Sequence, residues 1–222
     1  MRRNFTFIHW DFFIDWVHLG VAMKIIDISH DIAESTKGFP SEPLTTFRLA
    51  CDISDDTPVR VSAISLSSHA ATHVDAPSHY DKEGLTIEQL ALNPFVGSCV
   101  VIDLMHVTDC IVAEDLARFC LQARVLCKVK SERLDFISIS SDCIAYLAEK
   151  GVILLGTTAI SIDKVNSKTL PAHHACYQHG IQIVEYLNLD AVNPGVYTFI
   201  GLPLKLVGLD ASPVRAVLID SI

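Results

Sequence analysis

Several marks of specialised chains are missing from this sequence of 222 residues. Only 10 are Gly, no Pro, Gly or Ser cluster is long enough for a linker, and no internal repeat is visible. Those absences exclude collagen-like, disordered and tandem-repeat architectures. Basic residues are the minority, with 17 Lys plus Arg against 26 Asp plus Glu and a formal charge of −9, so polyphosphate and anionic-membrane partners are disfavoured. No C-x-x-C pair occurs among the seven Cys, and an odd number cannot pair fully within one chain. A disulfide framework and a structural zinc-thiolate site are both excluded, and a reducing compartment, the cytoplasm, is expected. Apolar stretches such as Cys99 to Ile102 and Arg124 to Cys127 make most of these thiols core residues.

A long uncharged hydrophobic run is absent too. The aromatic segment after Arg2 and Arg3 is interrupted by His9, Asp11, Asp15 and His18, which fits neither a membrane span nor a cleaved signal. Regular patterning begins at Met23. The expected organisation is an N-terminal extension over residues 1–22 and one domain over residues 23–222, a size that a single core can fill.

Half of the residues are hydrophobic and 19% are charged, the balance of a well-buried globule. Short β-branched runs predict strands at Lys24–Ile28, Val59–Leu66, Ser98–Leu104, Ile137–Ile139, Val152–Leu155, Ile181–Leu187, Thr198–Val207 and Val214–Ile219. Helical signals lie between them: a capping box at Thr86–Gln89, an amphipathic stretch Val112–Leu121, and Ser140–Lys150 ending at Gly151. Strands apolar on both faces and interleaved with helices predict an α/β domain, a mixed β-sheet with flanking helices.

The ten His are unevenly placed. Three of them and one Asp fall in the eleven positions from His69 to His79, in His69-Ala70-Ala71-Thr72-His73-Val74-Asp75-Ala76-Pro77-Ser78-His79. Read as a continuation of the preceding strand, positions 69, 73 and 75 share parity and point one way. A helix would set Asp75 roughly 200° from His73 around its axis, and Pro77 would break it. Two imidazoles and a carboxylate on one face suit Zn²⁺, and Mn²⁺ or Fe²⁺ are tolerated by the same donors. Buried without an ion, these groups would be costly. Pro77 turns the chain, so His79 approaches from another direction, and Thr72 is placed to hydrogen-bond near a ligand.

The stretch resembles the motif H-x-G-T-H-x-D-x-P-x-H of the cyclase-type metal-dependent hydrolases, with Ala71 where the family has Gly. The segments Lys168 to His174, Leu202 to Lys205 and Gly208 to Val217 are similar to that family as well, as are Asp27 to His30 and Ser35 to Pro40. The resemblance implies the family's swivelling β/β/α-like fold, a homodimer or larger homo-oligomer, and hydrolysis of a small aryl formamide. It also implies two divalent ions, expected to be Zn²⁺: His69, His73 and Asp75 would hold one, and His173 with bridging Asp75 and Glu185 the other. Glu185 stands out on its own account, as a carboxylate within the apolar run Ile181–Leu187. His174 and His179 compete with His173; on an extended chain 173 and 174 face opposite ways, and the family alignment selects His173. By the same resemblance His79 would be the general acid and base, and Phe39, where the family has Trp, would contact the aryl ring. Three other readings compete: a different amide or lactam hydrolase of the superfamily, a non-catalytic metal protein, and a Cys176–His173 hydrolase.

Overall fold

Cys99 and Val101 point to one side of their strand and Val100 and Ile102 to the other, and all four side chains are buried. A strand buried on both faces needs cover on both, which sets the architecture. The computed structural model describes residues 23–36, 39, 42–130 and 137–221, so the extension read over residues 1–22 lies outside the described residues. Its strands are β1 (Met23–Asp27), β2 (Thr46–Cys51), β3 (Val61–Ser65), β4 (His73–Asp75), β5 (Val96–Asp103), β6 (Cys110–Ile111) and β7 (Arg124–Lys128). They continue with β8 (Ser138–Ile139), β9 (Leu154–Thr157), β10 (Gln182–Glu185), β11 (Gly195–Ile200), β12 (Ala211–Pro213) and β13 (Val217–Ser221). The helices are α1 (Ala113–Leu116), α2 (Ser141–Glu149) and α3 (Pro171–His179).

Nine strands form one mixed sheet in the order β1-β13-β11-β5-β7-β9-β10-β4-β12. The centre from β5 to β10 is parallel, and both flanks are antiparallel. Leu116, Ile144, Leu147, Ala172 and Cys176 from the helices pack on one face with Val100, Val125, Leu155 and Ile183. The other face buries Cys99, Val101, Leu126, Leu154 and Val184 against Phe95, Leu187 and Leu189 from the connections. The α/β prediction of a single mixed sheet with flanking helices therefore holds.

Local departures have local causes. The strand predicted over residues 198–207 ends at Ile200, and the helix predicted from Val112 shrinks to the single turn of α1. The capping box at Thr86 forms with Gln89, yet it opens only a 3₁₀ turn, Ile87–Gln89. Ser140 does cap α2 by accepting from the Cys143 amide, and Gly151 takes the left-handed φ of 79° just past its end. β2 and β3 form a separate two-stranded hairpin outside the main sheet.

Candidate metal centre

β4 lies between β10 and β12, and the register of β10 places Glu185 opposite His73 and Ile183 opposite Asp75. Residues paired across strands share a face. Ile183 belongs to the helix-side cluster, so His73, Asp75 and Glu185 point toward the helices, while Val74 and Val184 fill the opposite core. The first turn of α3 brings His173 down onto them. All four groups are buried.

The continuous strand expected from residue 69 does not form. Residues 68–72 make a turn that ends where β4 begins, with Ala71 left-handed at φ 58°. That conformation turns the Ala71 carbonyl onto Nδ1 of His73 at 2.9 Å, which fixes the His73 tautomer and leaves Nε2 for the site. It costs Gly nothing and strains any residue with a Cβ, Ala71 included. His69 then reaches Asp75 from the turn rather than from the strand.

The distances divide the cluster into two foci. Oδ1 of Asp75 lies 3.0 Å from Nδ1 of His69 and 3.3 Å from Nε2 of His73, and its Oδ2 lies 3.4 Å from Nε2 of His173. Glu185 is split the same way, with Oε2 3.6 Å from His73 and Oε1 3.4 Å from His173. Each carboxylate turns one oxygen to each focus, and Asp75 with His69 and His73, and with His173 and Glu185, forms two groups that could hold an ion. The chemistry of the donors fits: both oxygens of Asp75 are buried and, among the described residues, lack a hydrogen-bond partner despite the imidazoles around them. Donor atoms about 2.0–2.1 Å from a tetrahedral centre stand roughly 3.3 Å apart, close to these separations. In the metal-free chain burial opposes the charge on His69, but Asp75 and Asp210 outweigh it and lift its pKa to about 9. Burial also opposes the charge on Asp75, and the His73, His173 and His69 rings overcome it and hold its carboxyl low.

Supporting groups come from places that pattern does not mark. Asp163 accepts the His173 Nδ1 hydrogen at 2.8 Å and the amides of Ala172 and His173 at 3.1 Å, so one carboxylate caps α3 and aims its imidazole. Asp210, before β12, lies 3.1 Å from Nε2 of His69. Neither residue is identifiable as functional from spacing, although Asp210 falls inside a segment similar to the family. Thr72 does not bond a ligand: its hydroxyl donates to the carbonyl of Tyr186 and accepts the His30 amide, which pins the residue after Glu185. Tyr186 itself holds φ 55°, strained for a bulky side chain, and its ring stacks on His30 at 4.1 Å.

His173 and His174 sit on a helix, not the extended chain assumed from sequence. His174 turns away to contact Tyr80, and His179 lies at the far end of α3. A 3₁₀ turn at Pro77–His79 carries His79, one-third exposed, to the side of the cluster, with its ring centroid 4.2 Å from that of His69. Desolvation lowers its pKa. A cavity of about 480 Å³ opens above the cluster, with His79, Phe39, Glu42, Lys168, Tyr186 and Asp210 in its walls. Cys176 is fully buried and its thiol is pushed far up by desolvation, so a Cys176 nucleophile is ruled out.

The Cyclase family model matches residues 26–164. Over 203 residues the chain is 39% identical to the kynurenine formamidase of Bordetella pertussis, covering 88% of this chain and 97% of that one. A solved structure described as a potential metal-dependent hydrolase with cyclase activity is 33% identical, with a TM-score of 0.78 over 90% of this chain and 100% of the other. Isatin hydrolase A from Labrenzia aggregata superposes with a TM-score of 0.77 over 90% of this chain and 94% of its own, at 20% identity, a likeness of fold alone.

Proposed function

The chain belongs to the cyclase family of metal-dependent hydrolases, and from that premise we propose that it is a kynurenine formamidase, hydrolysing N-formylkynurenine to kynurenine and formate. The divided carboxylates carry the metal part of this reading: Asp75 and Glu185 each offer one oxygen to His73's side and one to His173's. His69, His73 and Asp75 hold one divalent ion, His173 and the two carboxylates a second, and Zn²⁺ suits the nitrogen and oxygen donors. When bound, such ions supply Lewis-acid activation of water and of the formyl oxygen.

The remaining work falls to the chain's own side chains. His79 takes a proton from the attacking water and delivers it to the departing aryl nitrogen; its place on the cavity wall suits the transfer, and its lowered pKa keeps the ring neutral and so free to accept. Phe39 offers the aryl ring an apolar face, and Lys168 offers the substrate's carboxylate a cation on the same wall. Burial of the ligands keeps competing water from the carboxylates.

Metal analysis combined with hydrolysis of N-formylkynurenine tests the assignment. Chelator-sensitive turnover that returns with Zn²⁺ is the expected result. Bound metal with hydrolysis of isatin, and none of the formamide, would move the chain to the isatin hydrolase-like alternative; metal without turnover of either would make the site structural.

A homodimer fits one further feature. The β2–β3 hairpin leaves Phe47 44% and Ile64 64% exposed, and a lone hairpin with apolar side chains in water is marginal. Light scattering on the purified protein should return twice the chain mass, and Phe47→Asp with Ile64→Asp should return the single mass. The seven free thiols fit a reducing compartment, and no helix among the described residues is long and apolar enough to cross a membrane.

A further inference from the structure

Apart from the histidines and Glu185, the charged side chains in the cavity walls are Glu42, Lys168 and Asp210. Asp210 is committed, since Oδ1 accepts the Ser68 hydroxyl at 2.9 Å and Oδ2 lies 3.1 Å from Nε2 of His69. Glu42 and Lys168 are not. Among the described residues neither forms an ion pair, with the other or with a third group, although their charges are opposite and they share one cavity. Glu42 is half-buried, and burial raises its pKa against the pull of the His69 and His73 rings, as expected of a carboxylate short of a counter-charge. Its amide donates to the Phe39 carbonyl at 2.9 Å, so the carboxylate and the aromatic face come from one short stretch of chain.

A neutral ligand would leave both charges without a partner, and a singly charged one would leave one of them. Two opposite charges held apart in one cavity match a molecule that carries both signs. The substrate of the proposed reaction does so: beyond its formanilide ring it ends in an α-amino acid, with an ammonium and a carboxylate on one carbon. We propose that Glu42 determines specificity by binding the α-ammonium of that end, beside the carboxylate that Lys168 takes. A simple formanilide and isatin have no cation to offer. Either would leave the Glu42 carboxylate half-buried and unpaired, a penalty that adds to the attraction lost.

The inference rests on the formamidase reading, and its test lets the two fail separately. N-formylkynurenine is compared, on the zinc-loaded full chain, with its deaminated counterpart, the same molecule ending in a carboxylate alone. The wild type should favour the amino acid in kcat/KM by roughly 10- to 30-fold, between the worth of an exposed ion pair and that of a buried hydrogen bond to a charge. Most of the difference should lie in KM. Glu42→Gln should narrow the ratio below about threefold while keeping its metal, and Glu42→Asp should recover part of it. Equal kcat/KM for the two compounds in the wild type, an undiminished preference in Glu42→Gln, or loss of metal from that variant overturns the proposal. Kynurenine and its deaminated form, titrated calorimetrically into the wild type, read the same preference without turnover. A roughly tenfold preference there with no formamidase activity would overturn the functional reading and leave Glu42 as an ammonium site. Equal binding of the two overturns the proposal, and binding of neither, without turnover, overturns both.

Discussion

Asp163 and His173 act as one unit: the carboxylate that caps the first turn of α3 also holds Nδ1 of His173 at 2.8 Å. Burial works against the charge on Asp163, and the His173 side chain with two amides keeps its carboxyl below the usual range regardless. Asp163→Asn should therefore weaken metal binding roughly 10- to 100-fold while leaving the helix content intact. Competition with a calibrated chelator measures the first and circular dichroism the second; unchanged affinity would show that α3 alone aims the ring.

Ligand and acid–base histidines should separate by metal content. His73→Ala and His173→Ala are expected to lose both metal and turnover, because each removes a donor from one focus of the cluster. His79→Ala should keep its metal and lose about 10²- to 10⁴-fold in kcat, the range of a general acid or base. Parallel metal loss in all three would abolish the distinction.

Metal uptake should depend on pH with a definite sign. His69 in the metal-free chain is pulled from its ordinary 6.5 to about 9, so at neutral pH it carries a proton that an ion must displace. Apparent affinity should rise from pH 6.5 to 8.5 by about tenfold per unit for each proton released, and level off above the raised pKa. Titrations in metal buffers at several pH values would reveal it, and a flat profile would mean that His69 is not a ligand.

Ala71 should improve when replaced by Gly. Its φ of 58° penalises a Cβ, whereas Gly gives back part of the gain as extra freedom in the unfolded chain. A net stabilisation of up to about 1 kcal/mol is expected, with β-branched Ala71→Val clearly destabilised. Urea denaturation would detect both, and a destabilised Ala71→Gly would refute the strain argument.

Lys168→Ala should raise KM roughly two- to fivefold, the worth of a solvent-exposed ion pair, and leave kcat in place. A formanilide without the carboxylate should not distinguish the two proteins. Steady-state kinetics with both substrates decides the matter.

Much of the fold was legible because its strands are apolar on both faces. β1, β3, β5, β8, β9, β10, β11 and β13 overlap predicted runs; in β5, β9 and β10 burial on two sides sets consecutive Val, Ile or Leu, whereas the largely exposed β1 and β3 are marked by their β-branched residues alone. β12 escapes because Ala211–Pro213 has three residues and a Pro, and β7 because Arg124 and Lys128 leave an apolar run of only three residues between them. α3 escapes for a chemical reason: its inward face is Ala172, His173, Ala175 and Cys176 rather than a stripe of large aliphatics, and its cap comes from a residue nine and ten positions away. The histidine cluster was visible as a composition anomaly. Its geometry was not, because the left-handed turn at Ala71, not strand parity, delivers His69. Asp163 and Asp210 act through distance in space, which no local pattern records.

The placement of β4 between β10 and β12 has a consequence for biogenesis. During synthesis the His69–Asp75 segment emerges long before either neighbour, and about a hundred residues pass before His173 and Glu185 exist to complete the second group. Asp210 arrives later still, near the end of the chain. Contacts so distant in sequence close late in folding. A nascent chain that has not yet passed Glu185 therefore carries half a cluster, and the paired carboxylates become available only beyond that point.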